Sequence, residues 1–268
     1  MNYSYTDLID AYSALGVGNG SAVYVVSALR GLGSYSVPVQ TLDAHYNAIK
    51  ELIGDDGTII VPTASLNLCN TKTPFDIDNT NSYQMGAFSE YIRIKGESVR
   101  SMHPFWSLTA LGKCASELTT NVSKHAFAYN SVWSRMIDKK DIIMLHVGLH
   151  PSRALSIIHY AENFIGVPYR YTKEFIHPIM RGKDIVYEEY YMNVMYKDAD
   201  IIWDKDRKEI KEIIGKAIEN NIIKEYKMPV GSIWASNITE VFHFFINILS
   251  IDLYTFLKTP PLIRPYNK

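Results

Sequence analysis

The sequence predicts an α/β fold, layered α/β/α around a mostly parallel central sheet, with a C-terminal α+β lobe. Three observations predict it. AVYVVSAL (22–29), TIIVP (58–62) and DIIMLHV (141–147) are short β-branched runs of the kind buried on both faces of a parallel sheet. Between the first two lies a stretch of helical period, so strand, crossover helix and strand form a βαβ unit. Past residue 170 the pattern changes to tyrosine-rich alternating segments and two further helices. The expected division is an N-terminal core over 1–170 and a C-terminal α+β lobe over 171–268.

Each element has its local cause. Tyr5, Leu8, Ile9, Tyr12 and Leu15 recur at three and four, which predicts an amphipathic helix closed by Gly16 and Gly18. Pro38 opens a second helix carrying Val39, Leu42, Tyr46, Ile49 and Ile53 on one side. Gly54-Asp55-Asp56-Gly57 is turn chemistry before the second strand. A polar loop runs from Thr63 to Gln84, and loops that long in a compact domain are usually functional. A helix over 86–95 leads to an irregular stretch, ESVRSMHPFWS. Ser152 reads as the N-cap of a helix over 153–164. VPYRYTKEF and DIVYEEYYMNVMY read as antiparallel strands, KDRKEIKEIIGKAIENN as a surface helix, and SNITEVFHFFINIL as an apolar helix capped by Ser236 or Asn237.

Composition excludes several classes. The 268 residues carry 27 basic and 28 acidic side chains without charged blocks, so neither a nucleic-acid footprint nor an acidic tail is expected. Cys69 and Cys114 are too few for a disulfide framework or a structural zinc site, which fits a reducing compartment. The start, MNYSYTDLIDAY, lacks the basic opening of a signal peptide. The most apolar stretch, 241–257, is interrupted by His243, Asn247, Ser250 and Asp252, against the ~20 nearly unbroken apolar residues a span needs. A soluble, cytoplasmic protein with no membrane association is expected. GVGNGSA (16–22) precedes a strand instead of following one, the wrong order for a phosphate-binding loop. GxSxG, HExxH and the kinase motifs are absent.

Two segments carry candidate chemistry. In SIIHYAEN (156–163), His159 and Glu162 are three apart on one helix face, within hydrogen-bond reach. A carboxylate that fixes the imidazole tautomer and stabilises the imidazolium makes histidine a general base near neutral pH. The same spacing also suits a surface ion pair. In VRSMHPFWS (99–107), Arg100, Ser101, His103 and Ser107 surround a proline and two aromatic residues in a loop. An ordinary turn with capping side chains is the competing reading. His146 reads as a core histidine in a buried strand. Asp76 and Asp78 suit a cationic ligand, or turn backbone.

The residues taken in order resemble the aminoglycoside 3-N-acetyltransferase family. The resemblance rests on VVSALRGLG (25–33), DDGTIIVPT (55–63), Phe75-Asp76, then Ser82, Gly86, Glu90 and Arg93. It continues through Arg100-Ser101, His103-Pro104, Ser107, Ala110 and Gly112, a helix started by Ser131, and Ser156, His159 and Glu162 in the family's Thr-x-x-His-x-x-Glu positions. It is dense from Gly16 to Tyr171. Four positions depart: the family's His-Ser-Ser is Val26-Ser27-Ala28, its Gly-Gly is Ser36-Val37, a strand glycine is His146, and the motif threonine is Ser156.

The resemblance implies an acyl-CoA-dependent N-acyltransferase in which an amine attacks the thioester directly, without a covalent acyl-enzyme or a metal. His159 corresponds to the family's catalytic histidine, oriented by Glu162, and Ser107 is placed to donate near the thioester carbonyl. Ser27, Ala28, Leu29 and Arg30, with Ser107, correspond to the acyl-CoA contacts. Asp76, Arg100, His103 and Ser156 are carried over as substrate-binding residues. Acetyl-CoA is the expected cosubstrate, and another acyl-CoA is open. Arg93, Arg100, Arg153, Arg170 and Lys173 cluster near the motifs, and basic groups suit phosphates. With that charge argument, and because the resemblance includes relatives in surface-polysaccharide pathways, the expected amine belongs to a nucleotide-linked amino sugar. An aminoglycoside is the alternative, and a non-catalytic CoA- or sugar-binding member is the reading from another class. A thioesterase ranks below both, for want of a serine in a nucleophile elbow. An oligomer is possible.

Overall fold

The β-branched run after Ser21 becomes the middle strand of a seven-stranded sheet. The computed structural model describes residues 2–197 and 208–259. β1 (Asn2–Tyr3) and α1 (Tyr5–Ala14) precede the middle strand, β2 (Ala22–Ser27). β3 (Ser34–Tyr35) pairs with β1, and α2 (Thr41–Ile53) crosses to β4 (Thr58–Pro62). Then come α3 (Ala87–Arg93), β5 (Val99–Arg100), β6 (Leu108–Gly112), α4 (Ala115–Thr119), α5 (Val132–Asp138), β7 (Ile142–Val147) and α6 (Ile157–Ile165). A long hairpin, β8 (Arg170–Arg181) and β9 (Asp184–Met195), is followed by α7 (Lys208–Glu219), β10 (Ile223–Lys227), β11 (Ser232–Asn237) and α8 (Ile238–Ile251).

The sheet order is β10-β11-β7-β2-β4-β6-β5. β2 runs parallel to both β4 and β7, while the strands outside them pair antiparallel. Alternation divides the core in two. Tyr24, Val26, Ile142 and Met144 join the cluster that includes α5, α6 and α8 residues, and Val23, Val25, Leu145 and Val147 join the one built on α1, α2 and α3. The layered α/β/α arrangement follows, with helices burying both faces of the parallel centre. No helix among the described residues is long and apolar enough to cross a membrane.

Local chemistry sets the element ends. Ser4 and Asp7 form a reciprocal capping box at α1. Asn237 caps α8, its Oδ1 accepting from the backbone of Thr239 and Glu240. Three expectations need correction. The helix at Pro38 begins as a 3₁₀ turn, leaving Val39 90% exposed and starting α2 at Thr41. Ser152 lies in another 3₁₀ turn, and α6 starts five residues later at Ile157. Residues 223–237 are not part of a separate lobe's sheet, because β11 pairs with β7 and β10 with β11 inside the central one. Part of the expected surface helix, residues 205–207, lies outside the described residues.

This topology creates the place for a site. The chain leaves β2 toward β4 on one side, whereas β7 lies on the other, so the carboxyl ends of β2 and β7 border a switch point. The backbones there are in contact. A Cβ at Gly31 would sit 1.9 Å from the Gly148 carbonyl oxygen, and Gly148 itself has φ +66°, a conformation that favours glycine.

Candidate active site

α6 begins just beyond this edge. Its first turn carries His159 and its second Glu162, and the three-residue spacing brings Nδ1 of His159 to 3.2 Å from Oε2 of Glu162. The Glu162 carboxylate is fully buried, and the imidazole is 27% exposed. Nδ1–H donating to the carboxylate leaves the Nε2 lone pair free, and Nε2 makes no hydrogen bond among the described residues. Two rings meet the imidazole edge-on, Trp106 at 5.7 Å and Phe127 at 5.5 Å between centroids. Asn163, one residue past Glu162, donates to the Phe127 carbonyl and ties that loop to the helix.

Sequence reasoning missed two members of this cluster. Gly166 ends α6 in the left-handed conformation, and Gly166 and Val167 both donate to the Glu162 carbonyl. The chain doubles back there, so Tyr169 donates its hydroxyl to Oε1 of Glu162 at 2.7 Å. Arg170 places Nε 2.8 Å from Oε2 and Nη2 3.3 Å from Nδ1 of His159. The only sequence signal was the helix-stop glycine followed by a polar pair, which sets direction but not contact.

The electrostatics suit a neutral base. Burial lowers the His159 pKa, the Arg170 charge lowers it further, and the bond to Glu162 offsets only part of this. Burial alone would raise the Glu162 carboxyl, but the bond from His159, the Arg170 charge and the Tyr169 hydroxyl hold it below the ordinary carboxylate range. His159 and Ser156 share a cleft of about 180 Å³ with Ser152, Arg153, Ala154, Leu155 and Ile158. Ser156 stands at the N-cap position of α6 without capping it, so its hydroxyl is left to face other partners. Ala28, Leu29 and Arg30 follow β2 at the same sheet edge, with Ala28 and Arg30 exposed and Ser27 buried. The Ala28 backbone donates to Val147 at the end of β7.

In the second segment the polar groups meet partners within the protein. Arg100 is engaged within the protein: its guanidinium donates to the carbonyls of Thr63, Ile77 and Thr80 and to Ser65 and Ser107, over the face of Phe75. It thereby pins the long 63–84 loop, with Arg93 holding the Asp78 carbonyl and Glu90 holding Ser82. Ser107 is not free to donate to a thioester, since its one proton goes to the Thr63 carbonyl and its oxygen accepts from Arg100. His103 uses both nitrogens. Nδ1 accepts from the backbone of Phe105 and Trp106, and Nε2 faces the Tyr191 carbonyl, while burial pushes its pKa down to about 4. Asp76 accepts from Asp78 and Asn79 within its own turn. Its place is in the loop rather than at the cleft. His146 is half satisfied: Nε2 faces the Ala154 carbonyl and Nδ1 is buried without a partner. Among the described residues, no group of three His, Cys, Asp or Glu side chains is placed to hold a metal ion.

Comparison with known proteins places this geometry in context. The sequence profile of the family described as aminoglycoside 3-N-acetyltransferase matches residues 24–250. Aminoglycoside N(3)-acetyltransferase VII of Streptomyces paromomycinus is 23% identical over 208 residues, 69% of each chain. Among solved structures, aminoglycoside acetyltransferase AAC(3)-Xa superposes with a TM-score of 0.80 at 17% identity, covering 94% of each chain. The binary complex of AAC-IIIb with CoASH gives 0.79 at 18% identity, covering 97% of this chain and all of the other. These two likenesses are likenesses of fold.

Proposed function

This chain belongs to the aminoglycoside 3-N-acetyltransferase family, and from that premise we propose that it transfers an acetyl group from acetyl-CoA to an amine of an aminoglycoside, with His159 as general base. The observation that carries the reading is the state of one imidazole. Nδ1 is held by a buried carboxylate, and Nε2, beside a cleft, is left without a partner among the described residues.

The chemistry follows from that arrangement. Acetyl-CoA supplies an acyl thioester when bound. His159 Nε2 takes the proton that the amine loses as its nitrogen attacks the thioester carbonyl. Glu162 stabilises the imidazolium so formed, and His159 returns the proton to the departing thiolate. A positioned base of this kind is worth about 10²–10⁴-fold in rate. Ser156, which does not cap α6 and lines the same cleft beside the Tyr24 hydroxyl, is the hydroxyl we assign to the reacting groups. Ser27 to Arg30, at the carboxyl end of β2, are the residues proposed to meet acetyl-CoA, with Ala28 and Arg30 exposed to it.

The choice of amine reverses the charge argument made from sequence. Of the five basic residues that argument used, Arg93 pairs with Glu90, Arg100 with loop carbonyls and Arg170 with Glu162, Lys173 lies over the Phe175 ring, and Arg153 is exposed and lines the cleft of His159. Four of the five are thus engaged within the protein, which removes most of the physical support for a nucleotide-linked sugar. The family and the Streptomyces relative both carry aminoglycoside acetylation in their names, which supports an aminoglycoside.

Release of CoA thiol from acetyl-CoA, measured against kanamycin- and gentamicin-type amines beside nucleotide-linked amino sugars, tests this. Release with the aminoglycosides is expected. Release with nucleotide sugars alone would overturn the amine assignment, and acetyl-CoA binding without release on any amine would make the chain a non-catalytic binder.

A further inference from the structure

Arg170 opens the β8–β9 hairpin, yet its side chain turns inward and is only 7% exposed. Its three nitrogens do different things. Nη1 donates to the Asn193 carbonyl on the opposite strand, which fixes the guanidinium plane. Nε lies 2.8 Å from Oε2 of Glu162, in a contact aimed too obliquely to be a hydrogen bond. Nη2 lies 3.3 Å from Nδ1 of His159. A cation held this way acts on the dyad through its charge more than through directional bonding.

Resting on the reading of His159 as base, we infer that Arg170 is a positioning residue that keeps Glu162 ionised and His159 neutral, and so sets the pH at which the base becomes available. With the carboxylate firmly anionic, Nδ1 keeps its proton and Nε2 stays the acceptor. The same positive charge opposes protonation of the ring. That charge effect extends the working range downward in pH, and the anionic carboxylate, which favours the imidazolium, offsets part of it.

The charged neighbourhood is small, and Arg153, exposed on the turn before α6, shares the cleft of His159. Facing the dyad are Glu162 from α6, Arg170 from β8 and Tyr169 from the turn between them, with Asp252, beyond α8, acting on Tyr169. Trp106 and Phe127 present uncharged rings to His159. Asp138 at the end of α5 acts on Tyr160, and on α8 both Glu240 and His243 are exposed.

Arg170→Gln and Arg170→Lys in the full chain test the inference by two readouts. One is the ¹⁵N NMR titration of the His159 ring without substrates. The other is the pH profile of kcat/KM with acetyl-CoA and an aminoglycoside. Losing the nearby charge raises the His159 pKa, so in R170Q the midpoint and the acid limb both move up by about one pH unit. R170K moves them up by less, because its ammonium keeps the charge on a shorter reach. If R170Q does not fold, R170K carries the measurement alone. Midpoints that stay put or fall would overturn the inference, as would a lower kcat on an unchanged profile, which marks a purely structural arginine. A shifted titration with no turnover by the wild type would sink the acetyl-transfer reading and leave Arg170's role standing; wild-type turnover with an unshifted titration does the reverse.

Discussion

The loop 100–107 and the helix α6 look alike as sequence, since each joins a histidine to charged and hydroxyl partners within a few residues. As structure they are opposites. In the loop every polar atom singled out has found a protein partner: Arg100 has its carbonyls, Ser107 has Thr63 and Arg100, and His103 has both nitrogens engaged. In α6 the carboxylate is saturated but the histidine keeps one nitrogen open. A polar cluster with every valence filled builds, and one with a valence left over can react. The loop nonetheless serves the helix, because His103 accepts from the Trp106 backbone and Trp106 abuts His159.

Mutations can break this contrast. The largest effect belongs to the open valence: His159→Ala lowers kcat about 10²–10⁴-fold, while acetyl-CoA affinity, read by calorimetry, stays close to wild type. Next is Arg100→Ala, which takes the donor from the part-buried carbonyls of Ile77 and Thr80 and one of two donors from that of Thr63, and costs about 3 kcal/mol in urea unfolding. If R100A folded as well as wild type but lost amine affinity, the guanidinium would belong to the substrate after all. Smallest is Ser107→Ala, with about 1 kcal/mol of stability lost and kcat close to unchanged. A large fall in kcat there would restore Ser107 to the reaction and erase the contrast.

What the sequence made legible follows the range of the interactions involved. AVYVVS and TIIVP announce a βαβ unit because β-branched burial is a local property, and His159 and Glu162 announce themselves because helical spacing guarantees proximity. SIWASN (232–237) gave no such signal, its strand character arising only from pairing with β7. Leu108–Gly112 was obscure for the same reason, being paired by β4 and β5. Tyr169 and Arg170 reach Glu162 through a reversal at Gly166 that periodicity does not encode. The loop misled because a cluster of polar residues reads identically whether its partners are ligands or distant carbonyls.

The pairing of β11 with β7 carries a consequence for how the chain is made. β7 lies at the heart of the sheet, but the strand that covers its outer edge begins at Ser232, beyond α6, the hairpin and α7. A chain emerging from the ribosome therefore holds the whole dyad before it can close the sheet beside it, with an apolar edge of Ile142 to Val147 waiting to pair. Chains terminated before Ser232 would keep His159 and Glu162 in sequence yet present an open strand to their neighbours. Such truncations should be lost to aggregation before any question of catalysis arises.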